Sequence, residues 1–273
     1  MTNPELKPSR DIAVLLEIMR RLRAADGCPW DRAQTFVTIA PYTIEESYEV
    51  ASAIEEKDWN ALPAELGDLL FQVVFHSRMA EEAGLFDFGE VVEAVTDKMI
   101  RRHPHVFGSA EAKGDAAAQK DFWEKLKESE RARKGHTSIL DDVTRALPAL
   151  MRAEKLQRRL SSVGFDWNSP EKVLDKIGEE TREIVQAQAS GASQAEVEGE
   201  IGDLLFAVAN LARHLNVDPE AALRTTNAKV CRRFKHIEAT LATQGRSPGV
   251  ASLEEMEALW QEAKQQEKVK GFL

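Results

Sequence analysis

The stretch Glu65-Leu66-Gly67-Asp68-Leu69-Leu70-Phe71 returns 135 residues later as Glu200-Ile201-Gly202-Asp203-Leu204-Leu205-Phe206. In each copy the two acids stand at i and i+3 beside an apolar run, the spacing of one edge of a packed α-helix. Upstream, Glu45-Glu46-x-x-Glu49 returns as Glu179-Glu180-x-x-Glu183, and downstream Lys98-x-x-x-Arg102 returns as Lys229-x-x-x-Arg233. Trp123-x-x-x-Lys127-x-x-Glu130 returns as Trp260-x-x-x-Lys264-x-x-Glu267. Four matches in one order, displaced by 131 to 137 residues, make the chain a tandem duplication of one module.

Helical periodicity dominates the rest. Val14, Leu15, Ile18, Met19 and Leu22 line one face of a first helix. Further helices are expected over Pro41–Lys57, Leu62–Ala83, Phe88–Arg102, Phe122–Arg133, Thr144–Leu160, Pro170–Ala189, Gln194–Leu215, Pro219–Thr243 and Leu253–Val269. There is no convincing alternating strand pattern and no Walker A or GxGxxG phosphate loop. The predicted fold is all-α. Ser109–Lys120 and Lys134–Ser138 read as linkers, and the second sets the expected domains at residues 1–136 and 137–273.

With 36 Lys+Arg against 46 Asp+Glu, the chain carries a formal net charge of −10, which argues against a broad grip on DNA or RNA. A small anionic substrate needs only local cations or a metal. Cys28 and Cys231 form no CxxC pair and no disulfide framework. The strongest apolar stretch, Leu69 to Phe75, is too short for a membrane span, and Met1–Asp11 is polar. A cytoplasmic protein is expected.

The acids carry the chemistry. On a helix, Glu179, Glu180 and Glu183 project to one side, as do Glu200 and Asp203 on the next helix. Two unit charges 4 Å apart interact by about 4 kcal/mol at an effective dielectric of 20, so such a cluster calls for cations. Oxygen ligands on antiparallel helices suit Mg²⁺, with Mn²⁺ as a substitute. Lys229 and Arg233, at i and i+4, suit phosphate oxygens, and Asn227 stands two residues before Lys229. Trp260 is either a core aromatic or a surface on which a base stacks.

Together with Gly27-Cys28-Pro29-Trp30-Asp31, Arg101-Arg102-His103-Pro104-His105-Val106-Phe107 and Val163-Gly164-Phe165-Asp166-Trp167, these motifs closely resemble the two-domain MazG nucleoside triphosphate pyrophosphohydrolases over nearly the whole chain. The resemblance implies an all-α homodimer that needs Mg²⁺ and hydrolyses nucleoside triphosphates to monophosphates and pyrophosphate by water attack at the α-phosphorus. It implies that Glu180, Glu183, Glu200 and Asp203 hold the metal while Glu179 assists the cluster or the attacking water. Lys176, Lys229 and Arg233 would then grip the triphosphate, with Asn227 supporting the site and Trp260 stacking on the base.

The first half keeps Glu46, Glu49, Glu65 and Asp68 as a second metal site, along with Lys98 and Arg102. It has Tyr42 where the second half has Lys176, and Thr96 where the second has Asn227. The C-terminal site is therefore expected to be the principal catalyst and the N-terminal site weaker, regulatory or assembly-related. A di-iron bundle would need Glu-x-x-His pairs, which these Glu-x-x-Asp pairs do not supply. A metal-dependent nucleotide sensor without turnover would use the same ligands and is the alternative function.

Overall fold

The computed structural model describes residues 5–108 and 137–269. The segment from 109 to 120, the helix expected over Phe122–Arg133, and the first-half Trp123, Lys127 and Glu130 lie outside the described residues. Chain contacts divide the protein into two compact units, Met1–Leu126 and Lys127–Leu273. Among the described residues both are helical, without strands.

The first unit comprises α1 (Ile12–Leu22), α2 (Pro29–Ala33), α3 (Phe36–Glu55), α4 (Leu62–Glu82), α5 (Phe88–Arg102) and α6 (Pro104–Phe107). Helices α3 and α4 form a hairpin, and α1 packs on α4. Met19, Ile39, Val74, Phe75 and Met79 form the core, with Leu15, Leu16, Phe71 and Phe88 against it. Helix α3 begins five residues before the expected Pro41. A capping box explains this: the Thr38 N–H donates to Thr35 Oγ1 at 3.3 Å, and the Thr35 N–H donates to Thr38 Oγ1 at 2.9 Å. Pro41 thus sits inside the helix at the loss of one backbone hydrogen bond.

The second unit comprises α7 (Ala149–Ser162), α8 (Pro170–Ser190), α9 (Gln194–His214), α10 (Pro219–Thr243) and α11 (Leu253–Val269). Helices α8 and α9 form the matching hairpin, α7 packs on α9 and α10, and α11 packs on α10. Gln157 of α7 ties this packing by donating from Nε2 to the Phe206 carbonyl of α9 at 2.7 Å. Helix α7 starts at Ala149 rather than the expected Thr144, because Pro148 disfavours a helical conformation at the residue before it.

Both hairpin turns close with the same bond. The Asp58 N–H donates to the Ala53 carbonyl at 2.9 Å, and the Ala192 N–H donates to the Ala187 carbonyl at 3.0 Å. The left-handed residue this turn requires is Gly191 (φ 72°) in the second unit and Lys57 (φ 58°) in the first. The repeat read in the sequence is thus repeated in the backbone, down to one hydrogen bond.

Helix α9 is apolar on more than one side. Ala207 and Ala209 are buried inside the unit, whereas Ile201, Leu205 and Val208 are exposed. The equivalent residues of α4, namely Leu66, Leu70 and Val73, are exposed too. The sequence pattern alone reads Ile201, Leu205 and Val208 as packed, because periodicity marks an apolar stripe without saying what covers it.

Candidate active site

In the second unit the hairpin brings its acids together from two helices. Glu180 of α8 and Glu200 and Asp203 of α9 each offer a carboxylate oxygen within 4.8 Å of the others. Glu180 is only 4% exposed, a carboxylate withdrawn from water. Lys176, one turn earlier, is its partner: Nζ lies 2.6 Å from Glu180 Oε1 and 2.8 Å from Glu179 Oε1. These hydrogen bonds hold the Lys176 ammonium well above the usual lysine range and the Glu179 carboxyl below the usual carboxylate range. Glu183 stands beside the convergent three. Desolvation and then the charge of Glu180 push its carboxyl up.

In the first unit Glu46 and Glu49 of α3 and Glu65 of α4 converge in the same way. Glu46 is pushed up by desolvation first, then by a hydrogen bond shared with Glu49 and by the charges of Asp68, Glu49 and Glu45. Asp68 therefore belongs to the same electrostatic cluster. In place of the lysine, Tyr42 sets its ring edge-to-face against Trp30, with centroids 6.2 Å apart. The first cluster thus has no cation at that point of its helix.

The basic residues sit on the helix after each hairpin. Lys98 and Arg102 are half-buried in the last turns of α5. On α10, Asn227 is exposed, Lys229 is half-buried, and Arg233 is buried to 7% exposure. Arg233 donates from Nε to Glu267 Oε2 at 2.8 Å, and its Cζ lies 5.3 Å from the Trp260 ring centroid. Arg233 and Trp260 are therefore brought together. Among the described residues no hydrogen bond or ion pair joins Arg233 to the acidic cluster. Glu267 is the residue that sequence reasoning passed over, although the repeated Trp-x-x-x-Lys-x-x-Glu spacing carried it.

A second cluster orders the approach to α8. Arg213 of α9 reaches Asp166 with Nη2 2.5 Å from Oδ1, and His214 Nε2 lies 3.3 Å from the same oxygen. Burial alone would raise the Asp166 carboxyl, but hydrogen bonds from Ser161 and Arg213, with the charge of Arg213, outweigh it and hold the group low.

In each unit three acids from two helices converge closely enough that they could hold a metal ion. Comparison with known proteins agrees with the repeat. The model of the MazG nucleotide pyrophosphohydrolase domain matches twice, at residues 34–107 and 168–238. The chain is 51% identical over 257 residues to the nucleoside triphosphate pyrophosphohydrolase of Escherichia coli K12, covering 93% of this chain and 97% of that one. It is 42% identical over 250 residues to the nucleoside triphosphate pyrophosphohydrolase/pyrophosphatase MazG of Thermotoga maritima, covering 92% and 94%. The first match spans α3 to α6, and the second spans α8, α9 and most of α10.

Proposed function

The chain belongs to the MazG nucleotide pyrophosphohydrolase family, and from that membership we propose how its two units share the hydrolysis of nucleoside triphosphates to monophosphates and pyrophosphate. The C-terminal unit, residues 137–273, is the principal catalyst, and the N-terminal unit, residues 1–136, holds a weaker or regulatory site. One observation carries the reading: Glu180, Glu200 and Asp203 converge from two helices with Glu180 buried, and Lys176 stands beside them.

The donor set fits a hard cation. It is oxygen only and comes from helices that fix its spacing, and the Glu183 carboxyl beside it is raised by desolvation and then by the charge of Glu180. Glu180, Glu183, Glu200 and Asp203 would hold Mg²⁺ or Mn²⁺, which supplies Lewis acidity toward a phosphoryl oxygen and acidifies a water molecule. Glu179 anchors Lys176 and orients the water that attacks the α-phosphorus. Lys176, Lys229 and Arg233 bind the triphosphate and offset the charge that develops on the departing pyrophosphate. Asn227 supports the site with its amide, and Trp260, already against Arg233, offers its remaining surface to the base.

The exposed stripes Leu66, Leu70, Val73 and Ile201, Leu205, Val208 support a homodimer in which a second copy covers them. No described helix is long and apolar enough to cross a membrane, and with a net charge of −10 the reading is a cytoplasmic enzyme of the nucleotide pool rather than a binder of nucleic-acid polymers.

The test is product identity from a panel of NTPs and dNTPs with Mg²⁺, for wild type, Glu46→Gln and Glu180→Gln. Monophosphate and pyrophosphate, lost in Glu180→Gln and kept in Glu46→Gln, are expected. The reverse pattern would move the principal site to the first unit, and orthophosphate as the primary product would overturn the α-phosphorus chemistry.

A further inference from the structure

Arg233 is a buried cation held by two residues of one neighbouring helix. From α11, Oε2 of Glu267 accepts from Arg233 Nε at 2.8 Å and lies 2.7 Å from Nη2, while Oε1 stands 3.4 Å from Nε of Arg232. Trp260 presents its ring 5.3 Å from Arg233 Cζ. Trp260 and Glu267 are two helical turns apart, so both project from one face of α11. A guanidinium is a rigid plane with a fork of donors. With a carboxylate on its Nε/Nη2 edge and a ring against it, its orientation is fixed by α11 rather than by its own flexible stem. Nη1 carries no hydrogen bond among the described residues and is not a buried orphan.

We propose that Glu267 is the positioning residue of the triphosphate site, holding Arg233 by Nε and Nη2 so that Nη1 is the donor presented to the β- and γ-phosphate oxygens and to released pyrophosphate. This rests on the reading that Arg233 binds the triphosphate. It also accounts for Glu267, the residue of the Trp-x-x-x-Lys-x-x-Glu spacing to which that reading gave no role. Because the Glu267 carboxylate offsets much of its charge, Arg233 contributes directed hydrogen bonding more than long-range attraction, and a misaimed donor forfeits most of its effect.

The experiment uses the full chain with Glu267→Gln, Glu267→Asp and Arg233→Lys. It measures kcat/KM on a nucleoside triphosphate and product inhibition by pyrophosphate and by nucleoside monophosphate separately, with thermal melts alongside. Glu267→Gln is expected to lower kcat/KM and weaken pyrophosphate inhibition by about tenfold, while monophosphate inhibition stays within about twofold of wild type. Glu267→Asp, with the charge but a shorter reach, recovers part of the loss. If Arg233→Lys weakens pyrophosphate and Glu267→Gln does not, Glu267 has no positioning role, although Arg233 keeps its own. If neither does, the assignment of Arg233 to the triphosphate falls and the proposal with it. Equal weakening of both products reduces Glu267 to a structural ion pair, and tighter pyrophosphate binding makes it a competitor for Arg233; either result overturns the proposal. Should Glu267→Gln unfold the protein, the pyrophosphate-to-monophosphate ratio in Glu267→Asp decides.

Discussion

The two hairpins, α3–α4 and α8–α9, share a turn, an acidic cluster and an exposed apolar stripe, yet they differ at one position with large electrostatic consequences. In the second, Lys176 sits 2.6 Å from the buried Glu180. In the first, Tyr42 takes that position, and the Glu46 carboxyl is pushed up by desolvation first and then by Glu49 and Asp68. A duplicated scaffold thus keeps its acids while the charge around them differs.

The sharpest break of that comparison is catalytic. Glu180→Gln should lower kcat by roughly 10²–10⁴, the range for removing a group that acts in the transition state. Glu46→Gln should lower it far less. Equal losses from the two substitutions in steady-state assays would mean that both clusters contribute alike to turnover.

Next in size is the tie that Asp166 makes in the second unit. Asp166→Asn removes the carboxylate from Arg213 and His214, both mostly buried, and should destabilise the protein by about 2 kcal/mol. Denaturant midpoints check this. Because Asp166 is held low, its contribution is fully present above the ordinary Asp pKa and disappears as pH falls through the lowered value. An Asp166→Asn difference unchanged between neutral and strongly acidic pH would assign its cost to packing instead.

Glu46 has the opposite sign. Its folded carboxyl is raised, so it binds a proton more tightly when folded. Its contribution is fully present below the ordinary Glu pKa and is lost as pH rises through the raised value. At neutral pH the metal-free first cluster therefore costs stability, and Mg²⁺ should restore it. At a concentration of 100 Kd, Mg²⁺ binding adds about 2.7 kcal/mol per site. Glu46→Gln should raise the melting temperature in EDTA and shrink the gain on adding Mg²⁺. A full Mg²⁺ gain in that variant would show that the first cluster does not take the ion.

Much of this was legible in the sequence because duplication supplies its own control: a lone acidic motif is common, but a second copy in the same order is not. The helices came from apolar periodicity, and the two acidic sets and the Tyr42/Lys176 difference came from comparing the copies. Four features did not. The start of α3 depends on a reciprocal Thr35–Thr38 bond that competes with Pro41, and the start of α7 is set by what Pro148 forbids at Leu147. The pairing of Arg233 with Glu267 joins residues 34 apart on different helices, and periodicity within a helix says nothing of such a contact. Exposure of Ile201, Leu205 and Val208 was hidden for the same reason.

The smallest effect tests how far the two turns are alike. Lys57 and Gly191 occupy equivalent left-handed positions, φ 58° and 72°, each one residue before the N–H that closes its hairpin turn. A side chain in that conformation costs roughly 1–2 kcal/mol, because Cβ crowds its own backbone. Glycine avoids the clash but gives back about 0.5–1 kcal/mol through its freer unfolded chain. Lys57→Gly should therefore stabilise the protein by about 0.5–1 kcal/mol, and Gly191→Lys should destabilise it by a similar amount. A Cβ built at Gly191 meets nothing within 4 Å, so that loss would be backbone strain and not a clash with neighbours. If Lys57→Gly were instead destabilising in denaturant melts, the lysine side chain would have to make a contribution in the first turn that the second turn lacks, and the equivalence of the two hairpins would end at the backbone.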